Sequence, residues 1–111
     1  MEKSVLFVCH GNICRSPMAE YIFKHLSNNK YEVASRATST EELGNDMHPK
    51  TKRELDIHGI PYDRHYARKI TTHDYDKYDY IVCFDDYNIN NLKRILPDMS
   101  KVRKLLDKDI D

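Results

Sequence analysis

Glycine and proline are scarce, three and four in 111 residues, which leaves little room for a flexible linker or a low-complexity tract between domains. No apolar run approaches the roughly 20 residues needed to span a bilayer, so no membrane partner is expected. The charges cancel, 18 basic side chains against 18 acidic, and a chain without a net field has no long-range attraction for nucleic acid. Cysteines number three, too few and odd for a disulfide framework. With no apolar signal segment after Met1, that usage points to a reducing, cytoplasmic setting. The six histidines and the cysteines show no metal-ligand spacing, so neither a metal nor another cofactor is expected. What remains is one soluble domain, residues 1–111, whose function has to come from a local site rather than from bulk charge.

Of what is present, the first feature is Ser4-Val5-Leu6-Phe7-Val8, an apolar run without alternation, the pattern of a strand buried on both faces of a parallel sheet. It stops at Cys9-His10-Gly11-Asn12. Met18, Ala19, Ile22, Phe23 and Leu26 then recur at helical spacing, with Ser16 placed to cap and Pro17 suited to the first turn. Tyr31 to Ala34 reads as a second strand, followed by a Ser/Thr-rich loop. Asp46 is placed to cap a helix from Met47 to His58, with Gly59 as its stop. Thr72 caps a short helix toward Lys77, and Tyr80 to Phe84 is a second unbroken apolar run. Asp85 or Asp86 begins a helix ended by Pro97, and Lys101 to Leu106 supplies a fourth strand. Strands alternating with helices predict an α/β fold with one four-stranded parallel sheet.

The segment Cys9-His10-Gly11-Asn12-Ile13-Cys14-Arg15-Ser16 joins the first strand to the first helix. Open parallel sheets bind ligands outside the carboxyl ends of their strands, and a helix start offers unpaired N–H groups with a partial positive charge. An anion fits there. Arg15 adds a planar fork that matches two phosphate oxygens, and the same field favours thiolate over thiol at Cys9. Gly11 lets the backbone approach an oxyanion. A Cys and an Arg six positions apart are a common accident; the strand before them, the helix after them, Gly11 and Ser16 are what turn the pair into a site.

The string from Val8 to Pro17 resembles the phosphate-binding loop of the low-molecular-weight protein tyrosine phosphatases. The resemblance continues through Ala37-Thr38-Ser39, Leu43-Gly44-Asn45, His58-Gly59-Ile60-Pro61, Ala67-Arg68-Lys69-Ile70 and Tyr80-Ile81-Val82-Cys83-Phe84-Asp85. It implies strand order 2-1-3-4 and hydrolysis of protein phosphotyrosine or aryl phosphates, with inorganic phosphate, sulfate or vanadate as further anion ligands. By that resemblance Cys9 attacks phosphorus and carries a phosphocysteine. Arg15 holds two equatorial oxygens, and the loop residues His10, Gly11, Asn12, Ile13, Cys14 and Arg15 bind the phosphate through their amides. Ser16 donates to the thiolate and Asn12 holds the loop's shape, with Ser35 and His65 supporting Asn12 and Ser16. Cys14 matches a second loop cysteine that forms a protective disulfide with the nucleophile. Cys83, inside an apolar run, reads as an inert hydrophobe.

Two departures from the family pattern matter. Thr40-Glu41-Glu42 stands where relatives often carry an aromatic, and a carboxylate there repels anionic peptides. The family's general acid is an Asp followed by Pro after the fourth strand; this chain has no Asp-Pro pair, which leaves Asp111 as the candidate acid. A shortened chain lacks the terminal helix. Right-handed crossovers would then put the first helix alone on one face and the later helices on the other. The side of the Tyr80 to Phe84 strand opposite the helix after Asp46 would be bare, or covered by a second copy in a homodimer. Two rival functions fit parts of the pattern. An arsenate reductase needs relay cysteines beyond Cys83, and Phe84 to Asn91 contains none. A non-catalytic phosphate-binding module suits the missing acid but leaves Cys9 beside Arg15 and Ser16 without a purpose.

Overall fold

The computed structural model describes residues 3–106. Strand β1 (Ser4–Cys9) is its axis, with all six residues buried, as an unbroken apolar run requires. It pairs in parallel with β2 (Glu32–Ala37) on one side and with β3 (Tyr80–Cys83) on the other, and β4 (Val102–Lys104) extends the sheet beyond β3. The all-parallel order is 2-1-3-4, as expected. Register sets Cys9 opposite Ala37, so β1 and β2 end at the same sheet edge.

Successive side chains of β1 divide between two cores. Leu6 and Val8 join Ile81, Cys83, Leu92, Leu96 and Val102 on one face, beneath α3 (Thr72–Lys77) and α4 (Asp86–Ile95). Val5, Phe7 and Cys9 join Val33 and Phe84 on the other, beneath Ala19 and Phe23 of α1 (Arg15–Leu26). Leu6, Ile81 and Leu92 are fully buried, each contributing roughly 1.5–3 kcal/mol of burial.

Three helix starts differ from expectation, and at two of them the side chain assigned as cap is engaged elsewhere. Helix α1 begins at Arg15 with Cys14 at the cap and no side-chain cap bond, because the Ser16 hydroxyl is turned inward. Helix α2 (Pro49–Ile57) is capped by His48, whose Nδ1 accepts from Lys50 N at 3.1 Å. Asp46 is instead engaged by Met47, His65, Lys52 and Arg64. In α3 the cap is Thr71, in a reciprocal pair with Asp74. Strand β2 also runs on past Ala34, and β4 is shorter than the Lys101 to Leu106 run.

Placement of α2 is a further correction. Expected over β3, it packs against α1, tied to the loop before α1 by His48 N and Thr51 Oγ1, which both donate to the Ile13 carbonyl. The face it was to cover belongs to α3 and α4. On the other side of β3, Phe84 is buried, but Val82 is half-buried and Tyr80 is 38% exposed. Helix α1 lies over β1 and β2 rather than β3, so burial on both faces holds only for Ile81, Cys83 and Phe84.

Candidate active site

In a trans peptide the C=O of one residue opposes the N–H of the next, so a loop whose carbonyls are fastened outward turns its amides inward. The loop from Cys9 to Cys14 is built this way. Cys9 O accepts from Thr38 N at 3.0 Å, and His10 O from Ser39 N at 3.1 Å and Ser39 Oγ at 2.9 Å. Asn12 O accepts from His65 Nε2 at 2.7 Å, Ile13 O from His48 N at 2.9 Å, and Cys14 O from Met18 N at 3.1 Å. The N–H groups of His10, Gly11, Ile13, Cys14 and Arg15 are thereby directed to the opposite side. There the loop lines a cleft of about 320 Å³ together with Glu41 and Glu42.

The sharp bend falls on Asn12, at φ 60°, a left-handed conformation that asparagine tolerates better than most residues. Its fully buried side chain secures the bend: Nδ2 donates to Ser16 Oγ at 2.8 Å, and Oδ1 accepts from Arg68 N at 3.1 Å. Gly11 has a different role. A Cβ there would lie 3.3 Å from Glu42 Cγ, so the missing side chain makes room for the neighbouring wall.

Cys9 is 3% exposed, and its Sγ lies 3.1 Å from Ser16 Oγ. Because that hydroxyl already accepts from Asn12, its own hydrogen is left for the sulfur or for the Arg36 carbonyl at 3.4 Å. The sulfur is the nearer of the two. The neighbouring Arg15 Nη1 donates to Asp85 Oδ2 at 2.7 Å, with its guanidinium 5.7 Å from the Phe84 ring centre. Asp85 is itself fixed as the cap of α4 through Asn88 N at 2.7 Å. Burial works to raise the Asp85 pKa, but the Arg15 hydrogen bond and Asn88 N–H outweigh it and hold the carboxyl below its ordinary range. In the sequence Asp85 is visible only as a helix start; the one signal for more is its place at the carboxyl end of a central strand.

His65 is buried, and its Nε2 must carry the proton, since the Asn12 carbonyl can only accept. Burial depresses its pKa, against the opposing pull of the Asn12 hydrogen bond, and keeps the ring neutral. Its backbone N–H donates to Asp46 Oδ1 at 2.9 Å, a support that the sequence reading missed. Ser35 is placed differently from expectation: it donates to Glu20 Oε1 at 2.6 Å and so braces α1 against β2, behind the loop. Cys14 is exposed at the start of α1, whereas Cys83 is buried with its thiol pushed up to about 12 by desolvation. Asp111 lies outside the described residues.

Residues 4–110 match the family described as low molecular weight phosphotyrosine protein phosphatase. The low molecular weight phosphotyrosine protein phosphatase of Gallus gallus is 46% identical over 97 residues, 83% of this chain and 61% of its own length. The chain thus spans about three-fifths of that relative. The crystal structure of SP-PTP, a low molecular weight protein tyrosine phosphatase from Streptococcus pyogenes, superposes with a TM-score of 0.90 at 38% identity, covering 98% of this chain and 75% of that one. Vibrio vulnificus Wzb, solved in complex with benzylphosphonate, superposes with a TM-score of 0.92 at 26% identity, over 100% of this chain and 81% of its own. A match over nearly the whole length and two close superpositions on this sheet make the chain a member of the low molecular weight phosphotyrosine protein phosphatase family.

Proposed function

We propose that the chain carries the nucleophile and phosphate-binding loop of a hydrolase that cleaves protein phosphotyrosine or aryl phosphates through a phosphocysteine. The Cys9 thiolate attacks phosphorus, forming the S–P bond as the aryl P–O bond breaks. Water then attacks the same phosphorus, releasing inorganic phosphate and restoring the thiolate. Both steps need charge stabilisation and positioning more than further covalent help. Arg15 and the inward amides supply these, with phosphate, sulfate and vanadate as anions that fit the same loop. The observation that carries this reading is the 3.1 Å contact of Cys9 with Ser16 beneath a loop whose Cys9, His10, Asn12, Ile13 and Cys14 carbonyls are tied outward.

The leaving phenolate needs a proton, and a positioned acid is commonly worth about 10²- to 10⁴-fold. Asp111 is the candidate for that role. Cys14, exposed beside the loop, is assigned the protective disulfide with Cys9, and a cytoplasmic setting goes with a thiolate that works reduced. The incompletely covered side of β3, where Tyr80 is 38% exposed, is offered to a second copy, and sedimentation of the chain tests that assignment.

The decisive assay is hydrolysis of para-nitrophenyl phosphate, whose phenolate leaves well unaided, with vanadate as competitor. Turnover that vanadate blocks and Cys9→Ser abolishes is the expected result. Anion binding without turnover would favour the non-catalytic module, and turnover surviving Cys9→Ser would overturn the nucleophile. If Asp111 is the acid, Asp111→Asn should slow phosphotyrosine far more than para-nitrophenyl phosphate while leaving affinity unchanged.

A further inference from the structure

The mouth of the cleft carries unlike charges on its two sides. Glu41 and Glu42 form one wall, beside His10 and Gly11, and both are fastened there. The Glu41 carboxylate accepts a 2.9 Å bond from His10 Nε2, and that imidazole in turn lies 5.6 Å from the Tyr87 ring at the start of α4. Glu42 accepts from Asn45 Nδ2 at 3.3 Å, and its stem fills the space that a side chain at Gly11 would need. On the far side of Cys14 and Arg15, the cap His48 and α2 residues Lys50, Thr51 and Glu54 line an adjoining depression, where one lysine is balanced by one glutamate. Arg15, which borders both hollows, is paired with Asp85, so the carboxylates at the mouth itself are those of Glu41 and Glu42, and the Glu41 side chain is 71% exposed there.

Neither carboxylate can serve a phosphoryl group, which needs donors and positive charge. What they can serve is a cation carried next to it. Resting on the phosphotyrosine reading above, we infer that Glu41 and Glu42 set the sequence preference of this site: they favour phosphotyrosine segments with Lys or Arg beside the phosphorylated residue and exclude those with Asp or Glu there. The phosphate is held in the loop, so a neighbouring side chain must pass over the cleft's rim, within the roughly 8 Å over which charges act at physiological ionic strength. Repulsion of the wrong neighbour does as much as attraction of the right one.

The test uses two phosphotyrosine peptides that differ only in having Lys or Glu on both sides of the phosphotyrosine, with para-nitrophenyl phosphate as a third substrate. The unmodified chain should show a kcat/KM about 3- to 10-fold higher for the Lys peptide, the scale of one or two exposed charge pairs. That ratio should shrink toward one as salt is raised, and in E41Q/E42Q at low salt. Turnover of para-nitrophenyl phosphate with equal rates on the two peptides would overturn the inference and leave the phosphatase reading standing. So would a Lys preference that survives both E41Q/E42Q and high salt. Failure to turn over any of the three substrates would overturn the phosphatase reading, and this inference with it.

Discussion

Ser16 Oγ lies 3.1 Å from Cys9 Sγ while accepting a 2.8 Å bond from Asn12 Nδ2. The asparagine thus orients the hydroxyl so that its own hydrogen is left for the Cys9 sulfur. Ser16→Ala removes that donor and leaves the fold of the loop to Asn12's other bonds. A hydrogen bond to a charged group is worth about 1.5–3 kcal/mol, so iodoacetate should alkylate Cys9 about 10-fold or more slowly in the variant. The catalytic rate should fall about 10- to 100-fold with little change in KM. An unchanged alkylation rate would remove Ser16 from the support of the Cys9 sulfur.

Arg15 and Cys9 should separate cleanly. Cys9→Ser is expected to lose turnover and keep vanadate or phosphate affinity, whereas Arg15→Lys loses both, because an ammonium cannot reproduce the planar fork. Equilibrium binding of phosphate to the two variants is the measurement. Arg15→Lys retaining wild-type affinity would place the anion elsewhere.

Acid should loosen the supports of the loop in two stages. His65 has a pKa lowered by burial, so below about pH 6.5 the unfolded chain takes up a proton before the folded one does. Stability from the neutral ring is complete above that pH and declines as pH falls toward the depressed value. Asp46 behaves as a carboxylate with a depressed pKa. Burial works to raise it and is outweighed by Lys52 and by the N–H groups of His65 and Met47. Its contribution is present above about pH 4 and is lost as pH falls further. Urea midpoints measured against pH should show both stages. His65→Gln, which retains an amide donor, should abolish the first, and Asp46→Asn the second, at a cost of about 1 kcal/mol at pH 7. A midpoint flat between pH 7 and 5 would contradict the assignment of His65.

The three thiols should differ in reactivity. Cys83, buried with its pKa at about 12, should resist iodoacetate in the folded chain. Cys9 should react in a phosphate-protected manner and exposed Cys14 without such protection. Brief peroxide treatment should inactivate reversibly, and Cys14→Ser should make the same dose irreversible. Mass spectrometry of the treated chain distinguishes a Cys9–Cys14 disulfide from a sulfinic acid at Cys9.

Local pattern by itself determined a good deal. The unbroken apolar run before Cys9, the helical spacing after Arg15 and the second run at Tyr80 are short-range signals that locate the strands, the loop and the parallel sheet; burial on both faces accounts for the first run, whereas in the second Tyr80 and Val82 are incompletely covered. Cys9, Asn12, Arg15 and Ser16 fall within eight consecutive residues, so one peptide segment brings them together and the sequence shows them together. The resemblance located His65, on another loop, and the structure sets its ring on the Asn12 carbonyl.

Only the tertiary structure decided which of several competent partners each polar group takes. Asp46 is as good a local cap as His48, yet it turns to His65, Lys52 and Arg64. Ser16 could cap α1 but faces Cys9, Ser35 meets Glu20 rather than Asn12, and Asp85 meets an arginine 70 positions away. Helix α2 leaves the sheet face for α1 because the loop carbonyl at Ile13 captures its first turn. A hydrogen-bonding side chain has many near-equivalent options along the chain, each worth about 1 kcal/mol. The packing of the apolar cores fixes which of them lies within reach.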